Sequence, residues 1–172
     1  DCLLTTSKTI NDDDPLLNCR IEGLEKKSPS VIILDRLFNV KKNSLIFKKT
    51  EIKIYILTTI DNFSKEQFFK KLGIKVIKLK KISNYNAELE NVFYVIKKLG
   101  FHRILVESGI TFLNQLIKNN LIKNFYLFKS SVNLGRYGLN YTNPLYIKNI
   151  GFSEENKIKV NLQGDSLYKV EI

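Results

Sequence analysis

The sequence predicts an α/β fold: a mostly parallel central sheet with flanking helices and an antiparallel C-terminal edge. Three observations predict it. Unbroken apolar runs of strand length recur, as in VIILD (31–35) and EIKIYILTT (51–59). Their lack of alternation implies burial on both faces. Amphipathic stretches ending in glycine fall between such runs. Residues 158–172, IKVNLQGDSLYKVEI, alternate instead like a closing hairpin, with Gly164-Asp165 near the turn.

Each element has its own warrant. CLLTT (2–6) reads as a strand, and PLLNCRI (15–21) as a second extended run opened by Pro15. EGLEKKSPS (22–30) breaks all periodicity and reads as a loop. SKEQFFKKL (64–72) reads as a helix with Ser64 as N-cap and Gly73 as stop, followed by the strand IKVIKLK (74–80). In NAELENVFYVIKKLG (86–100), Leu89, Val92, Phe93, Ile96 and Leu99 recur at helical steps, and Gly100 ends them. RILVE (103–107) is a strand, TFLNQLIKN (111–119) a helix and LIKNFYLFKSS (121–131) a strand. NLGRYGLNY (133–141) reads as a glycine-bearing loop.

With 172 residues the chain suits one domain with a proper core, and residues 1–172 show neither repeat nor low-complexity linker. No apolar run reaches membrane-spanning length. The chain opens on Asp1, so it is expected to begin inside a longer or processed product. The formal charge of +11 is nearly all lysine, with arginine only at Arg20, Arg36, Arg103 and Arg136. The lysines are scattered, which reads as a solvated surface able to steer an anionic small molecule. A nucleic-acid-binding module would instead concentrate arginine and interleaved aromatics. Two cysteines and the lone His102 are too few for a disulfide framework, a zinc site or a multi-histidine metal site.

In open parallel sheets ligands bind beyond the carboxyl ends of the strands. ILVESGITFLNQL (104–116) is one such exit. The amides of Gly109, Ile110, Thr111 and Phe112 at a helix start there suit an anion, though an ordinary strand-to-helix turn reads the same way. LLTTSKTINDDDPLLNCR (3–20) is the other. Asp12, Asp13 and Asp14 diverge along the backbone and cannot converge on one cation; they read as a turn leading into Pro15, with Asp13 turned inward. Arg20, set in an apolar extended run, suits a phosphate or a plain salt bridge. Arg36, just after VIILD, suits a 2′-phosphate or open water.

Three blocks together, LLTTSKTINDDDPLLNCRI (3–21), SPSVIILDRLF (29–38) and ILVESGITFLNQLI (104–117), resemble the reductase domain of the bacterial bifunctional riboflavin-biosynthesis deaminase/reductase family. The family's usual pattern is Thr-Val-x-x-Asp-Asp-Pro-x-Leu-x-x-Arg, then a Val-(Ile/Val)-Leu-Asp strand, then Val-Glu-Gly-Gly. The resemblance implies a dihydrofolate-reductase-like fold in a cytoplasmic homodimer. It implies NADPH-dependent reduction of 5-amino-6-(5-phosphoribosylamino)uracil to its ribitylamino counterpart. Position by position, it makes Thr9, Asp13, Arg36 and the run Gly109, Ile110, Thr111, Phe112 and Leu113 cofactor contacts. It makes Leu17, Arg20 and Glu107 substrate contacts, Arg20 toward the 5-phosphate and Glu107 toward sugar hydroxyls.

Two departures qualify what is implied. Ser108 stands where the family has the first of two glycines. The family's preceding strand, with its Lys and Ser-Leu-Asp-Gly-like segment, has no counterpart, nor have the zinc ligands of the deaminase domain. This chain alone is therefore expected to lack deaminase activity and a complete reductase pocket. Rival readings are another reductase of the same fold, acting on a diaminopyrimidine or on dihydrofolate, and the non-catalytic lysine-rich nucleic-acid module, whose binding would fall steeply with salt.

Overall fold

A computed structural model describes residues 1–48, 52–132 and 150–172. The predicted loop 133–141 and the first residue of the run 51–59 lie outside them. The chain forms two compact units, Asp1–Gly109 and Ile110–Ile172.

The first unit is a five-stranded parallel sheet with strand order β4-β3-β2-β1-β5. Its strands are β1 (Cys2–Thr6), β2 (Ser30–Leu34), β3 (Ile54–Thr58), β4 (Lys75–Lys78) and β5 (Ile104–Val106). Between them run α1 (Ser7–Asp13), α2 (Phe63–Lys71) and α3 (Tyr85–Lys98). Every ladder in this sheet is parallel, with Leu3 opposite both Val31 and Leu105. Residues in register share a face, so Leu3, Val31 and Ile54 line one side and Leu4, Ile32 and Tyr55 the other. The first side is the main core, completed by Ile10 of α1, Phe69 of α2, and Phe38 and Phe47 from the segment after β2. Leu4, Ile32 and Leu57 on the second side are equally buried, as the unalternating runs require.

The second unit holds α4 (Ile110–Lys118) and a three-stranded antiparallel sheet of β6 (Asn124–Lys129), β7 (Lys157–Ile158) and β8 (Ser166–Glu171), ordered β6-β8-β7. The predicted C-terminal hairpin is the β7–β8 pair. The antiparallel strands thus form their own sheet rather than bonding to the parallel one.

Local chemistry explains where the elements stop. Gly73 and Gly100 follow α2 and α3 at φ 74° and 92°, a region that glycine enters without strain. Two expectations need correction. Residues 15–21 form no strand: Asp14 ends α1 in the left-handed region, and Leu17 adopts φ 47° a few residues later. The cap of α2 is Asn62, not Ser64; its Oδ1 accepts from the Lys65 amide at 3.0 Å. Asn62→Ala is expected to cost about 1 kcal/mol in urea unfolding, whereas Ser64→Ala, on the exposed helix surface, costs near zero.

Candidate functional site

Parallel pairing gathers the candidate residues of the first unit along one edge. β1 lies between β2 and β5, so the three chains leave the sheet side by side at their carboxyl ends. The Glu107 amide donates to the Leu4 carbonyl at 3.0 Å, and the Asp35 amide donates to that of Leu57 at 2.8 Å. These bonds bring the exit of β5 beside β1, and that of β2 beside β3.

At the β1 exit, Thr6 caps α1 by accepting from the Thr9 amide, and the two threonine hydroxyls lie 3.1 Å apart. Thr9 is thereby held on the first turn. Asp13 ends the helix exposed to solvent. Asp14, also exposed, accepts from the Leu45 amide at 2.8 Å. Asn11 also ties this helix to the segment after β2, accepting from the Lys41 amide at 2.9 Å. The acidic triplet is a helix end and a turn. Among the described residues no group of three His, Cys, Asp or Glu is disposed to hold a metal ion.

Leu17 and Arg20 part company in the irregular stretch. Leu17 is buried within the main core, so only its backbone is available to a ligand. Arg20 is exposed and sits in no strand, so the apolar extended run in which the sequence set it does not form. At the β5 exit, Glu107 and Gly109 are exposed. A Cβ built on Gly109 meets nothing within 4 Å, so the space beside it is open. Two hydroxyls near this edge are buried without a hydrogen-bond partner: Thr5 Oγ1 on β1 and Ser108 Oγ after β5. Buried polar atoms are nearly always paired, so the Ser108 orphan at the strand exit suits a polar ligand, whereas Thr5, in register with Ile33, faces the main core. In the second unit, α4 begins at Ile110 as expected, with Ile110 and Thr111 exposed, Leu113 half-buried and the Phe112 side chain buried.

Arg36 follows β2. Its carbonyl accepts from the Thr59 amide and hydroxyl at 3.2 and 2.8 Å. Its guanidinium is held by Glu88, in the first turn of α3. Glu88 was not among the candidates read from the sequence. Its signal is present: it lies four and eight residues before the buried Val92 and Ile96, on the apolar stripe of its helix.

Asp35, at the end of β2, is buried and accepts from the amides of Asn39 and Val40 at 2.8 Å each. Nearby, Lys65 donates to the Phe38 carbonyl and lies 4.9 Å from the centre of its ring. Burial lowers the Lys65 ammonium below its usual range, opposed by the charge of Asp35 and reinforced by Lys42. The Cys2 thiol is pushed up to about 11 by burial, with the N-terminal charge opposing, so it is an inert core group. His102 is exposed.

A parallel sheet whose polar candidates converge on its carboxyl edge, joined to antiparallel strands, defines an α/β domain of the dihydrofolate-reductase-like class. The chain belongs to the RibD C-terminal domain family, whose family model matches residues 1–168. A curated relative, the riboflavin biosynthesis protein RibD of Chlamydia pneumoniae, is 27% identical over 137 residues, covering 77% of this chain and 36% of the relative. Acinetobacter baumannii RibD has the same fold, with a TM-score of 0.69 at 17% identity, over 99% of this chain and 46% of that one. So has a diaminohydroxyphosphoribosylaminopyrimidine deaminase/5-amino-6-(5-phosphoribosylamino)uracil reductase from Thermotoga maritima, with a TM-score of 0.67 at 16% identity, over 99% and 44%. The chain thus spans less than half the length of these relatives. Among the described residues no helix is long and apolar enough to cross a membrane.

Proposed function

We propose that this chain is the reductase unit of riboflavin biosynthesis, reducing 5-amino-6-(5-phosphoribosylamino)uracil with NADPH. Family membership over residues 1–168 carries the reading. The orphaned hydroxyl of Ser108 and the open space beside Gly109 support a polar ligand at the strand exits. Thr9, Asp13, Arg36 and Gly109 hold the cofactor, which when bound supplies the hydride. Leu17, with its side chain in the core, serves the substrate through its backbone. Arg20 takes the sugar phosphate from the solvent side, its charge and fork free of core packing. Glu107 accepts from sugar hydroxyls. The protein's part is to orient two bound molecules and exclude water between them. On the same reading it works as a cytoplasmic homodimer.

The test is loss of NADPH absorbance on adding that substrate to the complete gene product. Oxidation is expected, and its absence, or a preference for dihydrofolate, overturns the assignment. Arg20→Ala is expected to raise KM for the phosphorylated substrate about ten- to hundredfold, the worth of a charge-assisted contact, while leaving NADPH affinity unchanged.

A further inference from the structure

We propose that Glu88 is the positioning residue that makes Arg36 selective for a 2′-phosphate, so that preference for the phosphorylated dinucleotide is set partly from the first turn of α3. The inference deepens the cofactor reading above and rests on it.

The pair is asymmetric. The Glu88 side chain is 4% exposed and that of Arg36 is 48% exposed. The anion lies inside and the cation half outside. The contact is side-on: Nη2 donates to Oε2 at 2.6 Å, and Nε lies within ion-pair distance of Oε1, which accepts no hydrogen bond. One charge-assisted hydrogen bond and a close ion pair on the same edge restrict the swing of the guanidinium. The backbone is held too, because the Arg36 carbonyl accepts from the Thr59 amide and hydroxyl. An arginine on an open strand exit would otherwise sample many rotamers, and ordering it would weaken binding. Here that ordering is already done by the fold.

Glu88 does not serve as a direct ligand. An acidic residue that accepts from a ribose 2′-hydroxyl favours the unphosphorylated cofactor. A carboxylate this buried and committed to an arginine is out of reach of a ribose. Nor does it cancel the arginine's attraction. A phosphate meeting the outer side of the guanidinium lies roughly twice as far from the carboxylate, so repulsion is about half the attraction at equal screening. Attraction survives and orientation is gained.

The test compares NADPH and NADH affinity by ligand-fluorescence titration of wild type, Glu88→Gln and Arg36→Lys in the complete protein. Wild type is expected to prefer NADPH. Glu88→Gln keeps the shape and loses the charge that fixes the guanidinium. NADPH affinity is expected to fall about tenfold, with NADH affinity changing less than about twofold. Arg36→Lys keeps a positive charge but not the planar fork, and the same selective loss is expected. An NADPH/NADH ratio in Glu88→Gln that is unchanged or raised overturns the positioning role while leaving the cofactor reading intact. If Glu88→Gln fails to fold by circular dichroism, Arg36→Lys decides: an unchanged ratio overturns the role, a collapsed ratio supports it. Wild-type protein that binds neither dinucleotide overturns the cofactor reading and this proposal with it.

Discussion

Phe69→Ala is expected to lower the unfolding free energy by about 3–5 kcal/mol, the range for truncating a fully buried aromatic. Phe69 is fully buried on α2 and meets three other rings, with centroids 4.9 Å from Phe47, 5.3 Å from Phe68 and 6.0 Å from Phe38. Its ring joins the helix to the segment that follows β2. Removing it forfeits transfer free energy and leaves a void that three aromatic neighbours cannot close without leaving their rotamers. For a chain of this size the loss corresponds to a fall in melting temperature of roughly 10 °C. Phe69→Leu retains most of the volume and should lose much less. Thermal unfolding by circular dichroism checks both; an alanine variant within about 1 kcal/mol of wild type would show that the aromatic cluster contributes little.

Phe69 was legible as part of a helix, and its burial follows from the apolar residues of FFKKL. The same logic made β2 readable: four residues with no polar interruption belong in the middle of a parallel sheet, and VIIL is there. What escaped had no period to betray it. Residues 15–21 read as an extended run, yet the chain turns through a left-handed residue at Leu17, and the Leu17 side chain enters the core while that of Arg20 meets water. Asn62 and Ser64 are both cap formers two residues apart, and only the direction of the incoming chain chooses between them. Glu88 finds Arg36 across 52 residues, a contact that local propensity does not encode. At the candidate site the strand exits were legible because parallel topology puts them on one edge. The pairing that orients Arg36 on that edge was not.

Asp35→Ala is expected to cost about 3 kcal/mol and to weaken NADPH binding, because one buried carboxylate organises the loop that carries Arg36. Asp35 accepts from two successive amides, Asn39 and Val40, at 2.8 Å each, and its own carbonyl accepts from the Phe38 amide at 3.0 Å. Between these bonds lies Phe38 at φ 56°, a strained conformation for a bulky side chain that persists only where its surroundings hold it. Removing the carboxylate orphans a buried amide at Val40 and releases that strain together. Arg36 sits between the strand end and the released turn, so its backbone loosens even though the Glu88 contact is untouched. Asp35→Asn is no mild substitute: one oxygen remains to accept, but the new amide nitrogen turns a donor toward a donor, so it should recover at most about half of the loss. Hydrogen exchange at Asn39 and Val40 separates this account from general destabilisation. Their protection should fall further in Asp35→Ala than that of amides in β1 or β3. Equal loss everywhere would mean that Asp35 supports the sheet as a whole rather than the loop that carries Arg36.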